Sequence, residues 1–175
     1  RINELMMGVK SMYSREFKNI GIIWSTGALS FEEYKKRVHE RVDAGSVFLS
    51  PFISEVGLAY SACDIAVSRS GAGVMMELAA MGVPSILIPY PYAADDHQTL
   101  NAREFHDMGA AIMVANEDAV PEKVGPMIID LLENRAVLGK MSEAALAASK
   151  KDAAARIADA IERDYNNCMR REAAD

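Results

Sequence analysis

The chain has 175 residues, of which 50% are hydrophobic and 25% are charged, and its formal net charge is −6. This composition is typical of a globular protein that buries its own core, and the acidic balance argues against non-specific attraction to nucleic acid or to an anionic membrane. The two cysteines, Cys63 and Cys168, lack metal-type spacing and fit a reducing cytosol. The longest apolar stretch, residues 85–94, is interrupted by two prolines and is too short to cross a bilayer.

Hydrophobic periodicity predicts helices that alternate with short strands along the whole chain. The predicted helices cover residues 2–13, 31–42 after an N-cap at Ser30, 54–62, 74–81, 96–108, a segment from Pro121, 137–149 and 152–165. The predicted strands cover residues 20–24, 46–49, 64–68, 85–88 and 110–114. Short apolar strands alternating with helices indicate a parallel sheet covered on both faces.

No repeat or linker is visible, so residues 1–175 are predicted to form a single domain. The chain opens with a helix, whereas a doubly wound domain normally opens with a strand. We therefore expect the first strand of the sheet, and the glycine turn that follows it, to be missing from this chain.

A glycine-containing turn, residues 70–73, joins a predicted buried strand to a predicted helix. In open α/β sheets ligands bind beyond the carboxyl ends of the strands, and free N–H groups at a helix start favour phosphate. A tight turn without a ligand explains the pattern equally well at this point. The turn is not a dinucleotide or triphosphate loop, because Met76 stands where a third glycine would be and no GxxxxGK[ST] motif occurs.

Polar side chains follow in the helix after this turn and at the start of the next predicted helix. Glu77 lies one turn into the helix after the glycine turn, where it could accept hydrogen bonds from ribose hydroxyls or simply be solvated. Asp95, Asp96, His97 and Gln98 could bind sugar hydroxyls, or one aspartate could be an N-cap. No metal-ligand pattern and no hydrolytic triad is visible, so neither a metal nor a cofactor is predicted.

Four motifs resemble one family in order along the chain. They are SRSGAG at residues 68–73, EL at 77–78, GVP at 82–84 and DHQTLNA at 96–102. This pattern is similar to the carboxy-terminal domain of the MurG family, which are GT-B glycosyltransferases of family 28 that transfer GlcNAc from UDP-GlcNAc to a lipid-linked muramyl-pentapeptide. The resemblance covers essentially the whole chain, and it implies a Rossmann-like doubly wound parallel sheet, the C-terminal half of a GT-B fold.

The resemblance also implies a role for particular residues in binding the UDP-GlcNAc donor. Phe52 and the Ile53 backbone would meet uracil, Glu77 would bind the ribose hydroxyls, and His97 and Gln98 would hold the GlcNAc hydroxyls. The turn and the start of its helix would face the diphosphate and sugar. The residues of that segment are Ser70, Gly71, Ala72, Gly73, Val74, Met75 and Met76.

By the same resemblance, an N-terminal domain would bind the lipid-linked acceptor and supply the catalytic base, so no catalytic residue is assigned to this chain. The whole enzyme would be cytoplasmic, at the inner face of the cell membrane, without inserting this segment into it. Two alternatives stay open, a stand-alone donor-binding subunit of a two-subunit GlcNAc transferase and another GT-B UDP-sugar enzyme such as an epimerase. The sequence departs from the family pattern in two places: Gly73-Val74 replaces a common Leu-Thr pair, and Trp24 stands where histidine is usual.

Overall fold

The structure, a computed structural model, describes residues 1–41, 46–149 and 152–172. The described helices are α1 Ile2–Met12, α2 Phe31–Arg41, α3 Val56–Ser61, α4 Ala72–Met81, α5 His97–Asp107, α6 Pro121–Glu133, α7 Arg135–Ala148 and α8 Ala153–Glu172. The described strands are β1 Ile22–Ser25, β2 Val47–Ser50, β3 Ala66–Ser68, β4 Ser85–Leu87 and β5 Ala111–Met113. Short 3₁₀ turns occur at Glu16–Asn19 and Ala94–Asp96.

The predicted order of helices and strands is confirmed, and the differences lie at element ends. Helix α4 begins at Ala72 rather than at residue 74, because the Met75 amide already donates to the Gly71 carbonyl at 3.0 Å. Helix α8 continues to Glu172, beyond the predicted end at residue 165. Val42, predicted to lie at the end of the second helix, is outside the described residues.

Every described strand pair is parallel, which confirms the predicted fold class, but the strands form two hydrogen-bonded groups. In one group β1 pairs with β2, with Ile22 opposite Val47. The other group has the order β3-β4-β5, with Val67 opposite Ile86 and Ile86 opposite Ile112. No described strand hydrogen-bonds to both β1 and β3. Because the strands within a group are parallel, the loops that follow them lie at one edge of that group.

The central strand β4 is buried on both faces, as expected for a strand between two helical layers. Ile86 and the adjoining Ile88 pack on one face, whereas Leu87 packs on the other. The first face is covered by apolar side chains of α1, α6 and α7, namely Leu5, Val9, Val124, Ile128, Leu131, Leu138 and Met141. The second is covered by apolar side chains of α4 and α5, namely Met75, Leu78, Ala79, Ala102 and Phe105.

Trp24, where histidine is usual in the family pattern, lies in a third apolar cluster between α1, β1 and α2. It is 6% exposed and packs against Tyr34, with ring centroids 5.6 Å apart. Its indole Nε1 donates to Asn3 Oδ1 at 3.0 Å, and Asn3 Nδ2 donates to the Thr26 carbonyl at 2.9 Å. A buried indole with its N–H satisfied stabilises both neighbours, so Trp24 fixes α1 to the end of β1.

Helix α4 ends in a left-handed residue that turns the chain directly into β4. Gly82 has φ +64°, and the Val83 amide donates to the Leu78 carbonyl at 2.9 Å. This is a Schellman arrangement, in which glycine avoids the steric penalty of a side chain at positive φ. The sharp turn keeps α4 and β4 in contact, so that the loop before α4 and the loop after β4 lie at the same edge.

Candidate functional site

The turn before α4 is fixed to the start of α5 by the side chain and backbone of Ser70. Ser70 is fully buried, and its Oγ donates to the Gln98 carbonyl oxygen at 2.7 Å. Its own carbonyl accepts a hydrogen bond from Asn101 Nδ2 at 3.0 Å. The Ser70 hydroxyl is therefore engaged inside the protein, and its contribution to this edge is to hold two loops together.

Arg69 joins three loops at the same edge, and sequence reasoning did not single it out. Its Nη1 donates to the Ile88 carbonyl at 3.0 Å, the Pro89 carbonyl at 2.7 Å and Asn116 Oδ1 at 2.9 Å. The guanidinium carbon lies 5.4 Å from the centre of the Tyr90 ring, within cation–π range. Burial lowers the pKa of Arg69, but hydrogen bonds to three oxygens suit the charged form.

The N-terminus of α4 presents backbone amides on an open surface. Gly71 is the N-cap residue, and no side chain caps the helix. The amides of Ala72, Gly73 and Val74 precede the first intrahelical bond, which Met75 makes. Ala72 and Gly73 are exposed, and a Cβ added at Gly71 or Gly73 would meet no atom within 4 Å. An anion can therefore approach this positive helix end closely.

Helix α4 separates the predicted site residues into a core face and an open face. Met75 is 1% exposed and packs in the apolar core, so its side chain lies away from the open surface. Val74 is half-buried and Met76 is 43% exposed. Glu77 is exposed and follows Gly73 by four residues, which places its side chain on the same helix face as the first-turn amides.

The Glu77 carboxylate has a neighbour from α3. Tyr60 Oη donates to Glu77 Oε2 at 3.2 Å. The Tyr60 ring is half-buried and packs against the core under α4. Burial, followed by the negative charge of Glu77, raises the pKa of Tyr60 to about 12, so the phenol stays protonated at neutral pH.

The loop before α5 holds two successive left-handed aspartates. Asp95 has φ +50° and Asp96 has φ +52°, a conformation that costs a residue other than glycine about 1–3 kcal/mol. Asp96 is the N-cap of α5, but its carboxylate accepts from Thr99 Oγ1 at 2.6 Å instead of a backbone amide. One aspartate was expected as an N-cap, and the position is correct although the capping bond is not made.

His97 and Gln98 open helix α5 with different surroundings. His97 is exposed, and its Nδ1 lies 2.6 Å from the Ala94 carbonyl oxygen. Gln98 is half-buried, and its Oε1 accepts a hydrogen bond from the Tyr90 amide at 3.0 Å. Because the oxygen of the Gln98 amide is engaged in this way, the group it can offer to a ligand is the Nε2 donor.

Phe52 and Ile53 follow β2, in the other group of strands. Ser50 Oγ donates to the Phe52 carbonyl at 2.7 Å, and Ser50 O accepts from the Thr26 amide at 3.0 Å. The Phe52 ring is 76% exposed, whereas Ile53 is half-buried. Among the described residues, neither makes a hydrogen bond to the turn before α4. Helix α3, which begins three residues later, connects this segment to Tyr60 and hence to Glu77.

Other features of the described residues lie apart from this edge. A shallow cavity of about 240 Å³ involves none of the candidate residues; it is lined by Ile112, Met127, Asp130, Leu131, Asn134 and Val137. The described residues include no group of three or more His, Cys, Asp or Glu side chains placed to hold a metal ion. None of the described helices combines the length and hydropathy that crossing a membrane requires.

Comparison with solved structures defines the class of fold. The crystal structure of Acinetobacter baumannii MurG matches with a TM-score of 0.78 and 27% identity, over 93% of this chain and 46% of that chain. A Listeria monocytogenes protein described as a UDP-N-acetylglucosamine 2-epimerase shares the fold, with a TM-score of 0.69 and 17% identity over 94% of this chain and 42% of that chain. The architecture is therefore that of a Rossmann-like domain of GT-B type.

The family follows from the sequence. The model of the glycosyltransferase family 28 C-terminal domain matches residues 1–157, and the chain belongs to this family. An Aquifex aeolicus relative, named UDP-N-acetylglucosamine--N-acetylmuramyl-(pentapeptide) pyrophosphoryl-undecaprenol N-acetylglucosamine transferase, is 39% identical over 133 residues, which are 76% of this chain and 36% of the relative. A Desulforamulus reducens relative of the same name is 31% identical over 167 residues, 93% of this chain and 45% of the relative. The chain thus spans less than half the length of these relatives.

Proposed function

We propose that residues 1–175 form a single domain that binds UDP-GlcNAc, and that the full-length protein transfers GlcNAc to a lipid-linked muramyl-pentapeptide in peptidoglycan synthesis. The observation that carries this is the meeting of the uncapped α4 N-terminus with Glu77 and Gln98 beside it. The names of the two relatives support the identity of the donor and of the acceptor.

The diphosphate of the donor would lie against the amides of Ala72, Gly73 and Val74. These amides carry the positive end of the α4 dipole, which stabilises negative charge without any side chain. As the bond from sugar to phosphate breaks, charge grows on the departing UDP, so the same amides would stabilise the transition state more than the ground state. Glu77, one turn along the same face, would accept hydrogen bonds from the ribose hydroxyls.

The sugar and the base would contact the flanking loops. Gln98 would donate from Nε2 to a GlcNAc hydroxyl oxygen, and the exposed His97 would lie beside it. The exposed Phe52 ring would pack near uracil, with the Ile53 backbone at the edge of the base. Ser70 and Met75 are buried, so they would support the site by holding the loop and the helix in place.

The chemistry that this chain would supply is positioning and charge stabilisation. We assign no catalytic residue to it and place the catalytic base and the acceptor-binding surface in other parts of the full-length protein. That protein would act in the cytoplasm at the inner face of the cell membrane. No metal, cofactor, nucleic acid or membrane insertion of this segment is part of the proposed mechanism.

A titration followed by amide chemical shifts tests the donor site. UDP-GlcNAc, UDP, ATP and NAD are added separately to the isotope-labelled chain. We expect selective shifts from the two uridine ligands, centred on the amides of residues 72–74, and their loss in Glu77→Ala. Glu104→Ala, which removes an exposed carboxylate on α5, is the matched control and keeps the shifts. Selective shifts from ATP or NAD, or none from the uridine ligands, would contradict the proposed donor.

Two substitutions at Gln98 separate ligand binding from loop positioning. Gln98→Glu keeps an oxygen that can accept from the Tyr90 amide but removes both Nε2 donors, whereas Gln98→Ala removes both functions. We expect both variants to weaken UDP-GlcNAc binding and to leave UDP binding within about threefold of the wild type, because UDP lacks the sugar. A Gln98→Glu variant with unchanged affinity for UDP-GlcNAc would remove Gln98 from the sugar site.

The alternatives that the sequence leaves open differ in what the full-length protein does. A GlcNAc transferase consumes UDP-GlcNAc only when the lipid-linked acceptor is present and releases UDP. An epimerase inverts C2 of the sugar without an acceptor, and a stand-alone subunit transfers GlcNAc only after a partner chain is added. An assay of UDP release with and without acceptor, together with sugar analysis, distinguishes the three.

A further inference from the structure

Tyr60 lies on α3, outside the turn and α4, and it contacts the proposed ribose-binding carboxylate of Glu77. Its hydroxyl donates to Glu77 Oε2 at 3.2 Å, across the packed pair of helices α3 and α4. We infer that Tyr60 is a positioning residue that orients the Glu77 carboxylate toward the ribose hydroxyls of a uridine nucleotide. This role rests on the proposed donor site, and it adds a specificity determinant that lies outside the glycine turn and both helix starts.

The first support is the difference in mobility between the two partners. Glu77 is an exposed side chain with three rotatable bonds, so an isolated Glu77 would sample many orientations. The ring of Tyr60 is half-buried and packs on the apolar core under α4. The fixed group is therefore the phenol, and a hydrogen bond between them restricts the carboxylate.

The second support is which acceptor sites of the Glu77 carboxylate the hydrogen bond occupies and which it leaves for a ligand. A carboxylate has two oxygens and accepts about four hydrogen bonds in total. The phenol engages Oε2, which leaves Oε1 and the remaining lone pair of Oε2 for two vicinal hydroxyls. At 3.2 Å the bond is longer than the roughly 2.7–2.8 Å usual for hydroxyl donors, so it can shorten when a ligand binds.

The third support is the position of α3 in the chain. Helix α3 begins at Val56, directly after the Phe52–Ile53 segment proposed to meet uracil. Tyr60 thus connects the segment for the base to the carboxylate for the ribose. The high pKa of Tyr60, caused first by burial and then by Glu77, keeps the phenol protonated and able to donate throughout the neutral range.

The test compares UDP with 2′,3′-dideoxy-UDP, which lacks both ribose hydroxyls. Dissociation constants are measured by calorimetry for the wild type, Tyr60→Phe, Glu77→Ala and the double variant. We expect Tyr60→Phe to reduce the preference for UDP over dideoxy-UDP by about threefold to tenfold, the effect of one modest hydrogen bond. Its affinity for dideoxy-UDP stays at the wild-type value, and adding Tyr60→Phe to Glu77→Ala, which has no oxygen left to orient, has no further effect.

Tyr13→Phe is the matched control, because Tyr13 is also half-buried but packs between α1 and α6, beside Gly125. It should leave the preference unchanged. Two results would overturn the role of Tyr60 and leave the donor site intact. In the first, Tyr60→Phe weakens the binding of both ligands equally; in the second, it leaves the preference for UDP unchanged while Glu77→Ala abolishes that preference. A wild-type chain that binds neither nucleotide would instead refute the donor site, and the inference with it.

Discussion

Replacing Arg69 by methionine tests whether one guanidinium holds together the loops that follow β3, β4 and β5. The two hydrogens of its Nη1 are shared among Ile88 O, Pro89 O and Asn116 Oδ1. Methionine keeps a long apolar stem but has no donor. The two carbonyls at the end of β4 therefore lose their charged partner, while the packing of the stem is largely retained.

The size of the effect follows from the number of hydrogens and from burial. A hydrogen bond to a charged group contributes about 1.5–3 kcal/mol, so two shared hydrogens give an upper limit of about 3–6 kcal/mol. Arg69 is only half-buried, so water can replace part of what is lost. We expect Arg69→Met to lower the free energy of unfolding by about 2–4 kcal/mol. Arg69→Lys keeps the charge but not the planar group over Tyr90, and should cost about 1–2 kcal/mol.

Urea unfolding measures these changes, followed by circular dichroism and by the fluorescence of Trp24, the single tryptophan. Coincident transitions by the two probes establish that one free energy describes the chain. Arg103→Met, on the exposed surface of α5, is the matched control and should change the free energy by less than about 0.5 kcal/mol. The reasoning is refuted if Arg69→Met is no less stable than Arg103→Met.

Three further predictions concern stability. Ser85 Oγ is buried without a hydrogen-bond partner among the described residues, so Ser85→Ala should raise stability by about 1 kcal/mol and Tm by about 2–4 °C; a lower Tm would contradict this. A Cβ at Gly125 would lie 2.3 Å from a ring carbon of Tyr13, so Gly125→Ala should cost about 1–3 kcal/mol in urea unfolding, and a neutral result would show that the ring moves freely. Hydrogen bonds, first that from Arg37, hold the pKa of Glu4 at about 2 instead of 4.5, so their stabilisation is full above pH 4.5 and disappears as the pH falls through 2. Between these values the wild type should lose more stability than Glu4→Gln, and parallel pH profiles would exclude the effect.

The order of elements was predictable because local periodicity and burial agree along most of this chain. The strands before α4 and α5 are short apolar runs, and short apolar strands that alternate with helices usually form a buried parallel sheet. The ends were less predictable. Gly71 and Gly73 have low helix propensity and argue against an early helix start, yet α4 begins at Ala72. Gly71 is only the N-cap, and the amides of the first turn make no intrahelical hydrogen bond, so the low propensity of glycine weighs less there. The last turns of α8 lack apolar periodicity, and good helix formers such as Met169 and Glu172 continue it.

The residues of the candidate site differ in how far along the chain their interaction partners lie, and this distance decides which of them could be predicted. Glu77 and Gln98 could be predicted as ligand contacts, because each lies at a helix start after a strand end and within a motif that resembles the family, a pattern visible within ten residues; their roles stay predictions. Tyr60 and Arg69 were missed because their partners are 17 to 47 residues away, across α3–α4 and across three loops. No local property of a tyrosine or an arginine indicates which distant oxygen it will meet.

Residues of one sequence motif can be required by the fold or by a ligand, and the burial of each residue distinguishes these two reasons. In the run from Arg69 to Gly73, Ser70 is fully buried and bonded within the protein, whereas Gly73 is exposed beside free amides. In the second motif, the oxygen of the Gln98 amide fixes a loop while its nitrogen stays available. One motif residue can thus be required by the fold, by the ligand or by both. In the proposed donor site Gln98 would serve both. The Tyr90 amide would then set the orientation of the Gln98 donor before any sugar arrives, which would lower the entropy lost on binding.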